Sequence, residues 1–373
     1  MKILITNNRL DQRGGAESFV RDLARGLQAQ GHTILAYSSN LGQLERLLQT
    51  DEIPITTDIE NLAFKPDIIH AQHHLDAMTA ISALPGIPAI YHCHGAVWRE
   101  TAPKHPRIYK YLAMSRTLSE RLMIESNIAP DDIEVVLNSV ELARFRNVRT
   151  PSAKPLRALF YNSFHRPESE TYLAVQEATR RCGIELEAIG SFFHNMVKNP
   201  EEVMQTFDIV FASGRSAIEA MASGCAVVVL GRTSCGELIC SENFDRLRQV
   251  NFSIAMNSPR PLVDKIESEL RRFTAEDAAL VTAKVRKEAD SLTMVHRLVG
   301  IYEDAIEKHH HSTISLEAEL KATSRYLRKL VPLIKLSDDF QRNADTPVSR
   351  VVMVNDLHQH LTLVQQELNK IMP

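Results

Sequence analysis

Short apolar runs bounded by polar or turn residues recur along the first 138 residues: KILIT, TILAYSS, DIIHAQ, PAIYHCH, YLAMS and IEVVLN. Runs of this length read as buried strands, and the stretches between them carry helical spacing, as in Phe19, Leu23 and Leu27 on one face. Strands alternating with helices imply a parallel, doubly wound sheet. The basic, proline-bearing stretch RNVRTPSAKP, Arg146 to Pro155, suits a linker, and a second series follows it: RALFYN, LEAIG, DIVFA and AVVVLG. The pattern therefore predicts two α/β lobes facing a cleft. Open parallel sheets bind ligands outside the carboxyl ends of their strands, which directs attention to the loops after Thr6, Gln72, His94, Asn138, Tyr161 and Ala212.

Helical patterns fill residues 259 to 308, and the tract His309 to Thr313 interrupts them. Beyond it, Leu316, Leu320, Thr323, Leu327, Leu330 and Ile334 repeat at spacings of four and three, as do Val354, Leu357, Leu361, Val364, Leu368 and Ile371. Both are heptad seams of under three repeats. Pro332 is expected to end or kink the first helix, and the polar DDFQRNADTP between the seams suits a helical hairpin. Packing within the chain, or a homo-oligomer contact, is the expected role of this tail.

Composition narrows the class without naming it. The 373 residues exceed one typical core and fit two domains. A formal charge of -3, from 43 basic and 46 acidic residues, leaves no nucleic-acid footprint. Cys93, Cys182, Cys225, Cys235 and Cys240 are scattered and lack paired spacing, so neither a disulfide framework nor a zinc site is expected, and a reducing cytoplasm fits. The N-terminal MKILITNN reads as a strand rather than a signal peptide, and no apolar run approaches the roughly 18 residues that span a bilayer. Membrane contact is expected to be peripheral at most, at the inner face.

Chemistry concentrates in FDIVFASGRSAIEAMASGCAVVVLG, Phe207 to Gly231. It reads as strand, glycine turn, short helix and second strand. Gly214 lets a ligand approach the backbone, the following helix points unpaired N–H groups at an anion, and Ser213 or Ser216 is placed to cap it. Arg215 adds a cation there, and Glu219 is the one carboxylate of an otherwise small and apolar helix, together suiting a phosphorylated ligand. Gly14 and Gly15, before the first helix, likewise expose amides to a diphosphate or sugar.

Five histidines gather at two strand ends: His70, His73 and His74, then His92 and His94. No carboxylate or cysteine partner sits at a recurring ligand spacing, so no metal is expected. His94, followed by Gly95, is placed to bind a sugar hydroxyl or phosphate oxygen, whereas His92 reads as a packed core histidine. Lys104, Arg107, Lys110, Arg116 and Arg121 crowd a stretch with Tyr109 and Tyr111 that reads as a solvated, partly helical face, or as one meeting anionic headgroups. Trp98 either stacks on a sugar ring or closes the edge of its domain.

Taken in order, these segments resemble the GT-B glycosyltransferases, in particular the large retaining family 4-like group that uses nucleotide-diphosphate sugars. GGAESFVRDLARGLQAQGH is similar to that family's glycine-pair helix, PDIIHAQ and IYHCHG to its next strands, and YLAMSRTLSERL to its closing strand and helix. IEVVLNSVELARF, with Asn138, Ser139, Val140 and Glu141, resembles the segment ahead of the interdomain linker, and AIEAMASGCAVVV its glutamate-alanine-methionine-alanine helix. The likeness covers about the first 310 residues. It implies two Rossmann-like domains, residues 1–150 on the acceptor side and 151–292 on the nucleotide-sugar side. A helix over 293–310 would return to the first domain, and residues 311–373 would form the tail.

By that resemblance Gly14 and Gly15 face the diphosphate or acceptor, His94 contacts the transferred sugar or its phosphate, and Glu219 binds the ribose hydroxyls. The last role suits an acceptor-only carboxylate, which takes two bonds from a vicinal diol. Two positions depart from the pattern. Phe211 stands where the family has another glutamate, eight residues before Glu219, and the loop NSFHRPESE lacks the usual arginine and lysine. Arg166 and Arg215 are the candidate replacement cations. The segment after Gly231, RTSCGELICSENFDRLRQVNF, resembles a divergent bacterial branch.

The implied activity is sugar transfer from a nucleotide diphosphate to a glycan, lipid-linked or other acceptor in bacterial surface polysaccharide or glycoconjugate synthesis, with no bound cofactor. Two alternatives stay open: a non-catalytic nucleotide-sugar or assembly module, which Phe211 favours, and a nucleotide-sugar epimerase, whose paired acid/base carboxylates are not evident.

Overall fold

The computed structural model describes residues 1–10, 15–41, 52–197, 199–254 and 261–343, with side chains undescribed at 15–17 and 338–343. Gly14 and the second heptad seam, 354–371, lie outside the described residues. The chain separates into two compact units. The larger comprises Met1–Pro103 and Arg107–Thr313, and the smaller Lys104–Pro106 with Ile314–Pro373.

The larger unit carries two sheets. The first holds β1 (Lys2–Thr6), β2 (Thr33–Tyr37), β3 (Ile55–Thr56), β4 (Ile68–Gln72), β5 (Ala89–Cys93), β6 (Ile108–Ala113) and β7 (Ile133–Val135). Its order is β3-β2-β1-β4-β5-β6-β7, every pairing parallel. Helices α1 (Gly15–Ala29), α2 (His74–Ala83) and α3 (Arg116–Ser126) connect them. β4 and β5 are buried along their whole length, as strands with both faces covered must be.

The second sheet holds β8 (Arg157–Tyr161), β9 (Glu185–Ile189), β10 (Ile209–Ala212), β11 (Ala226–Leu230) and β12 (Cys235–Leu238), in the order β12-β11-β10-β8-β9. Helices α4 (Glu170–Cys182), α5 (Pro200–Val203), α6 (Gly214–Ala222), α7 (Phe244–Gln249), α8 (Val263–Arg271) and α9 (Ala275–Glu288) belong to this lobe. The sequence pattern missed β3, which is two residues long, and β12, which pairs antiparallel to β11 inside CGEL.

Phe211 needs a different reading from the one its spacing suggests. It sits in the middle of β10, fully buried in the core, and β10 passes through Ser213 alone into α6. The position eight residues before Glu219 is thus a strand interior, not a cleft position where phenylalanine replaced a carboxylate.

The chain crosses between lobes twice, and the crossings run side by side. Val140 N–H donates to Ala289 O (2.8 Å) and Ser291 N–H to Val140 O (3.0 Å). After the second crossing, α10 (Ser291–His310) packs on α1, β5 and β6 of the first lobe. A Cβ on Gly26 of α1 would lie 2.7 Å from Val295 Cγ2, so glycine permits that close approach.

The basic stretch 104–121 is helical only at its end, where Arg116 of α3 is exposed. Its middle is β6, and Arg107, just before it, is buried with its guanidinium donating to the carbonyls of Leu84 (2.7 Å), Ile87 (2.8 Å) and Ile81. Burial of this cation is tolerated because three carbonyls replace its water. In the smaller unit, α11 (Leu316–Asn343) runs through Pro332 instead of ending there. Leu316, Leu320, Leu327 and Ile334 of the first seam are exposed. Among the described residues no helix is long and apolar enough to cross a membrane.

Candidate functional site

The carboxyl ends of β8 and β10 and the start of α6 form the second lobe's side of the cleft. Gly214 adopts φ +58, a conformation favouring glycine, and a Cβ there would sit 3.9 Å from Asn138 Nδ2. Ser213 is the N-cap of α6 but its side chain makes no capping bond, and Ser216 lies within the first turn. Gly15 opens α1 in the facing lobe.

Arg215 does not stand free for an anion. Its Nε donates to Glu219 Oε1 (2.8 Å), and its Nη2 pairs with Asp22 of α1 in the opposite lobe. Burial alone would lower the arginine's pKa, but Asp22 and then Glu219 hold it above its usual value. Asp22 was missed by sequence reasoning, because nothing in α1 announces that one of its acids meets a helix 193 residues later. Tyr161, at the end of β8, is half-buried, and its hydroxyl is pushed up to about 12 by burial and the Glu219 charge. A second pair, Arg144 Nη2 to Glu201 Oε2 at 2.7 Å, lies nearby, and both charges act on Tyr161.

Arg166 is different. It lies exposed on the loop after β8 with its guanidinium 4.7 Å from the centre of the Phe192 ring, and no described carboxylate pairs with it. Arg232, after β11, covers Phe164 in the same way at 4.9 Å. Both cations therefore lie, without a described acid partner, on loops at the carboxyl ends of the second lobe's strands. The structure joins Arg215 to Glu219 directly but records no contact between either and Arg166.

The first lobe contributes the histidines. Parallel register sets Gln72 beside His92, so His70 and Gln72 share a sheet face with His92 and His94. Phe19 of α1 covers that face, 4.7 Å from the His94 ring and 5.0 Å from His92. His92 is fully buried, as expected of a core histidine, and stacks on His94 at 4.4 Å. A hydrogen-bonded line enters from α10: Tyr302 Oη lies 2.6 Å from His70 Nδ1, and His70 Nε2 lies 3.3 Å from His92 Nδ1. Burial lowers His70 to about 3 and holds His92 and His94 well below the usual imidazole value, so all three are neutral at pH 7.

His94 Nε2, His92 Nε2, Asn7 Oδ1 and both side-chain polar atoms of Gln72 are buried without a hydrogen-bond partner among the described residues. Buried polar atoms left unpaired are costly and usually await water or a ligand. Despite the histidines, no cluster among the described residues suits a metal ion. Trp98 is exposed and packs edge-on against His74 at 4.5 Å.

Comparison with known proteins fits this geometry. Residues 13–144 match the model of Glycosyltransferase Family 4. A glycosyltransferase from Rickettsia africae superposes with a TM-score of 0.62 at 16% identity, covering 82% of this chain and 98% of that one. Alr3699/HepE from Anabaena, solved with UDP and glucose, gives 0.60 at 16% identity over 82% of this chain and 100% of its own. The chain has the GT-B fold, and its first lobe is similar to Glycosyltransferase Family 4. The lipopolysaccharide outer core galactosyltransferase WaaB shares the fold at a TM-score of 0.54 and 13% identity, covering 82% of this chain and 100% of that one. No functionally curated protein matches the sequence.

Proposed function

We propose that the protein is a glycosyltransferase that moves a sugar from a nucleotide-diphosphate donor to a glycan, lipid-linked or other acceptor, without a bound metal or cofactor. The observation that carries the reading is Glu219. It is a buried carboxylate in α6, the helix that follows the carboxyl end of β10, oriented through one oxygen by Arg215. Its other oxygen is left to accept from ribose hydroxyls.

The remaining roles follow from position. The α6 N-terminus, with Gly214 and Ser216, and the unpaired cations Arg166 and Arg232 would meet the diphosphate and stabilise its departure. His94, neutral and with Nε2 unpartnered, would bind a hydroxyl of the transferred sugar. Gly15, with Gly14 before it, would let the ligand approach α1. Holding donor and acceptor together in one cleft then supplies much of the barrier reduction. Retention of anomeric configuration and a place in surface polysaccharide or glycoconjugate assembly, at the cytoplasmic face, extend the same reading.

A thermal-shift panel of UDP, GDP, ADP, CDP and their sugar conjugates tests it, because a ligand that binds the native state raises its stability by mass action. A base-selective shift is expected. A folded protein that answers none of them at millimolar concentration would replace this reading with that of a non-catalytic GT-B module.

A further inference from the structure

Glu100 lies in the short 3-10 turn Trp98–Glu100, beyond the carboxyl end of β5, and it is only 3% exposed. A carboxylate removed from water to this degree must be hydrogen-bonded or paired. Oε2 accepts the backbone N–H of His94 at 2.9 Å, and Oε1 lies 3.1 Å from His73 Nε2. Burial alone would raise its pKa, but His73 and His94 hold it below the usual carboxylate range, so the group carries its charge at pH 7.

His73 is fixed from its other side. Asn8 N–H donates to its Nδ1 at 3.2 Å, which leaves the ring proton on Nε2, within ion-pair distance of Glu100 Oε1 but not aligned as a hydrogen bond. His73 also caps α2 with φ 53, a left-handed conformation that a residue with a Cβ adopts only under constraint. Such constraint concentrates where a geometry matters to function. One buried carboxylate thus ties together the chain beyond three neighbouring strands: Asn8 after β1, His73 after β4 and His94 after β5.

We propose that Glu100 is the positioning residue for His94, and that its pairing with His73 sets His94 against the sugar of the donor. The inference rests on the reading of His94 as a sugar contact. Glu100 touches no ligand itself. It fixes the backbone from which the His94 ring projects, and the ring's remaining nitrogen then meets the hydroxyl at a defined angle. A glutamine at 100 keeps the shape but loses the charge, and its amide must turn its donor end toward either His94 N–H or His73.

The test compares wild type, Glu100→Gln and Glu100→Asp, using the full chain and whichever nucleotide-sugar the panel selects, with its free nucleotide diphosphate as control. In Glu100→Gln, release of nucleotide diphosphate at saturating donor should fall tenfold or more, while the Kd of the free nucleotide stays within twofold. Glu100→Asp, which keeps the charge at a shorter reach, should recover part of the rate. Unchanged turnover in Glu100→Gln, or an equal loss of free-nucleotide affinity, overturns the proposal. A second readout needs no donor. The His94 backbone amide proton should move upfield in the NMR spectrum of Glu100→Gln, and a resonance that stays in place also overturns it. A wild type that binds no nucleotide defeats the reading of the cleft itself, whereas a bound donor with an indifferent Glu100 defeats only this inference.

Discussion

Asp22 controls how much of Arg215 a ligand can use. Its carboxylate occupies the face of the guanidinium that Glu219 leaves open, so a phosphate approaching Arg215 competes with an anion already in place. Asp22→Asn should therefore tighten binding of a nucleoside diphosphate by roughly threefold to tenfold, the scale of one charge-assisted bond in partly wet surroundings. Calorimetric titration reads this directly, and an unchanged Kd would place the phosphates away from Arg215. Arg166, plated on Phe192 with no acid partner, is the better placed cation, and Arg166→Ala should weaken the same titration by about tenfold. The site at Glu219 and Gly214 was legible because strand, glycine and helix are contiguous there. Asp22, Glu100 and Tyr161 were not, because each acquires its meaning from a partner on a distant segment.

At the scale of elements, strands fully covered on both faces announced themselves as apolar runs, whereas β3 and β12 did not. Two residues of β3 carry too little pattern, and β12 contains a glycine and a glutamate. Pro332 misled for another reason: the missing N–H and the ring clash weaken a helix, but α11 continues to Asn343. The linker is held more firmly than its polar composition suggests. Asp208 accepts from Leu156 N–H (2.8 Å), Arg157 N–H (3.0 Å) and Arg149 Nη2 (2.7 Å). Burial would raise its pKa, but these bonds hold it below the usual value. A depressed carboxylate contributes stability that is present above its unfolded pKa and lost as pH falls through the folded one. Asp208→Asn should thus lower stability at pH 7 by roughly 1–3 kcal/mol and flatten the decline below about pH 4. Denaturant melts across pH 2 to 7 check this, and a parallel acid limb in the variant would assign the decline to other groups.

The whole molecule depends on how the lobes are joined, and that was the least legible level. The sequence showed two sheets and a linker, but part of the joint is made by Asn251 and Arg248, in a segment whose pattern looked merely divergent. Asn251 has φ 53, accepts from Asn138 N–H at 3.0 Å and donates to the carbonyl of Met114 in the first lobe. Arg248 Nη2 donates to Asn138 O at 2.6 Å. Asparagine tolerates the left-handed conformation better than most residues, so Asn251→Ala loses both the bonds and a favourable backbone. A destabilisation of about 2–4 kcal/mol is expected, with unfolding in calorimetry broadening toward two transitions as the lobes uncouple. A single sharp transition at the wild-type midpoint would show that the joint lies elsewhere.

The central claim, that this cleft binds a nucleotide-diphosphate sugar through Glu219, is tested most directly by titrating wild type and Glu219→Ala with the donor by calorimetry. The account predicts base-selective binding by the wild type and a loss of at least tenfold in Glu219→Ala, with both proteins melting as folded species. Equal affinity in the two proteins, or no binding by the wild type, would contradict it.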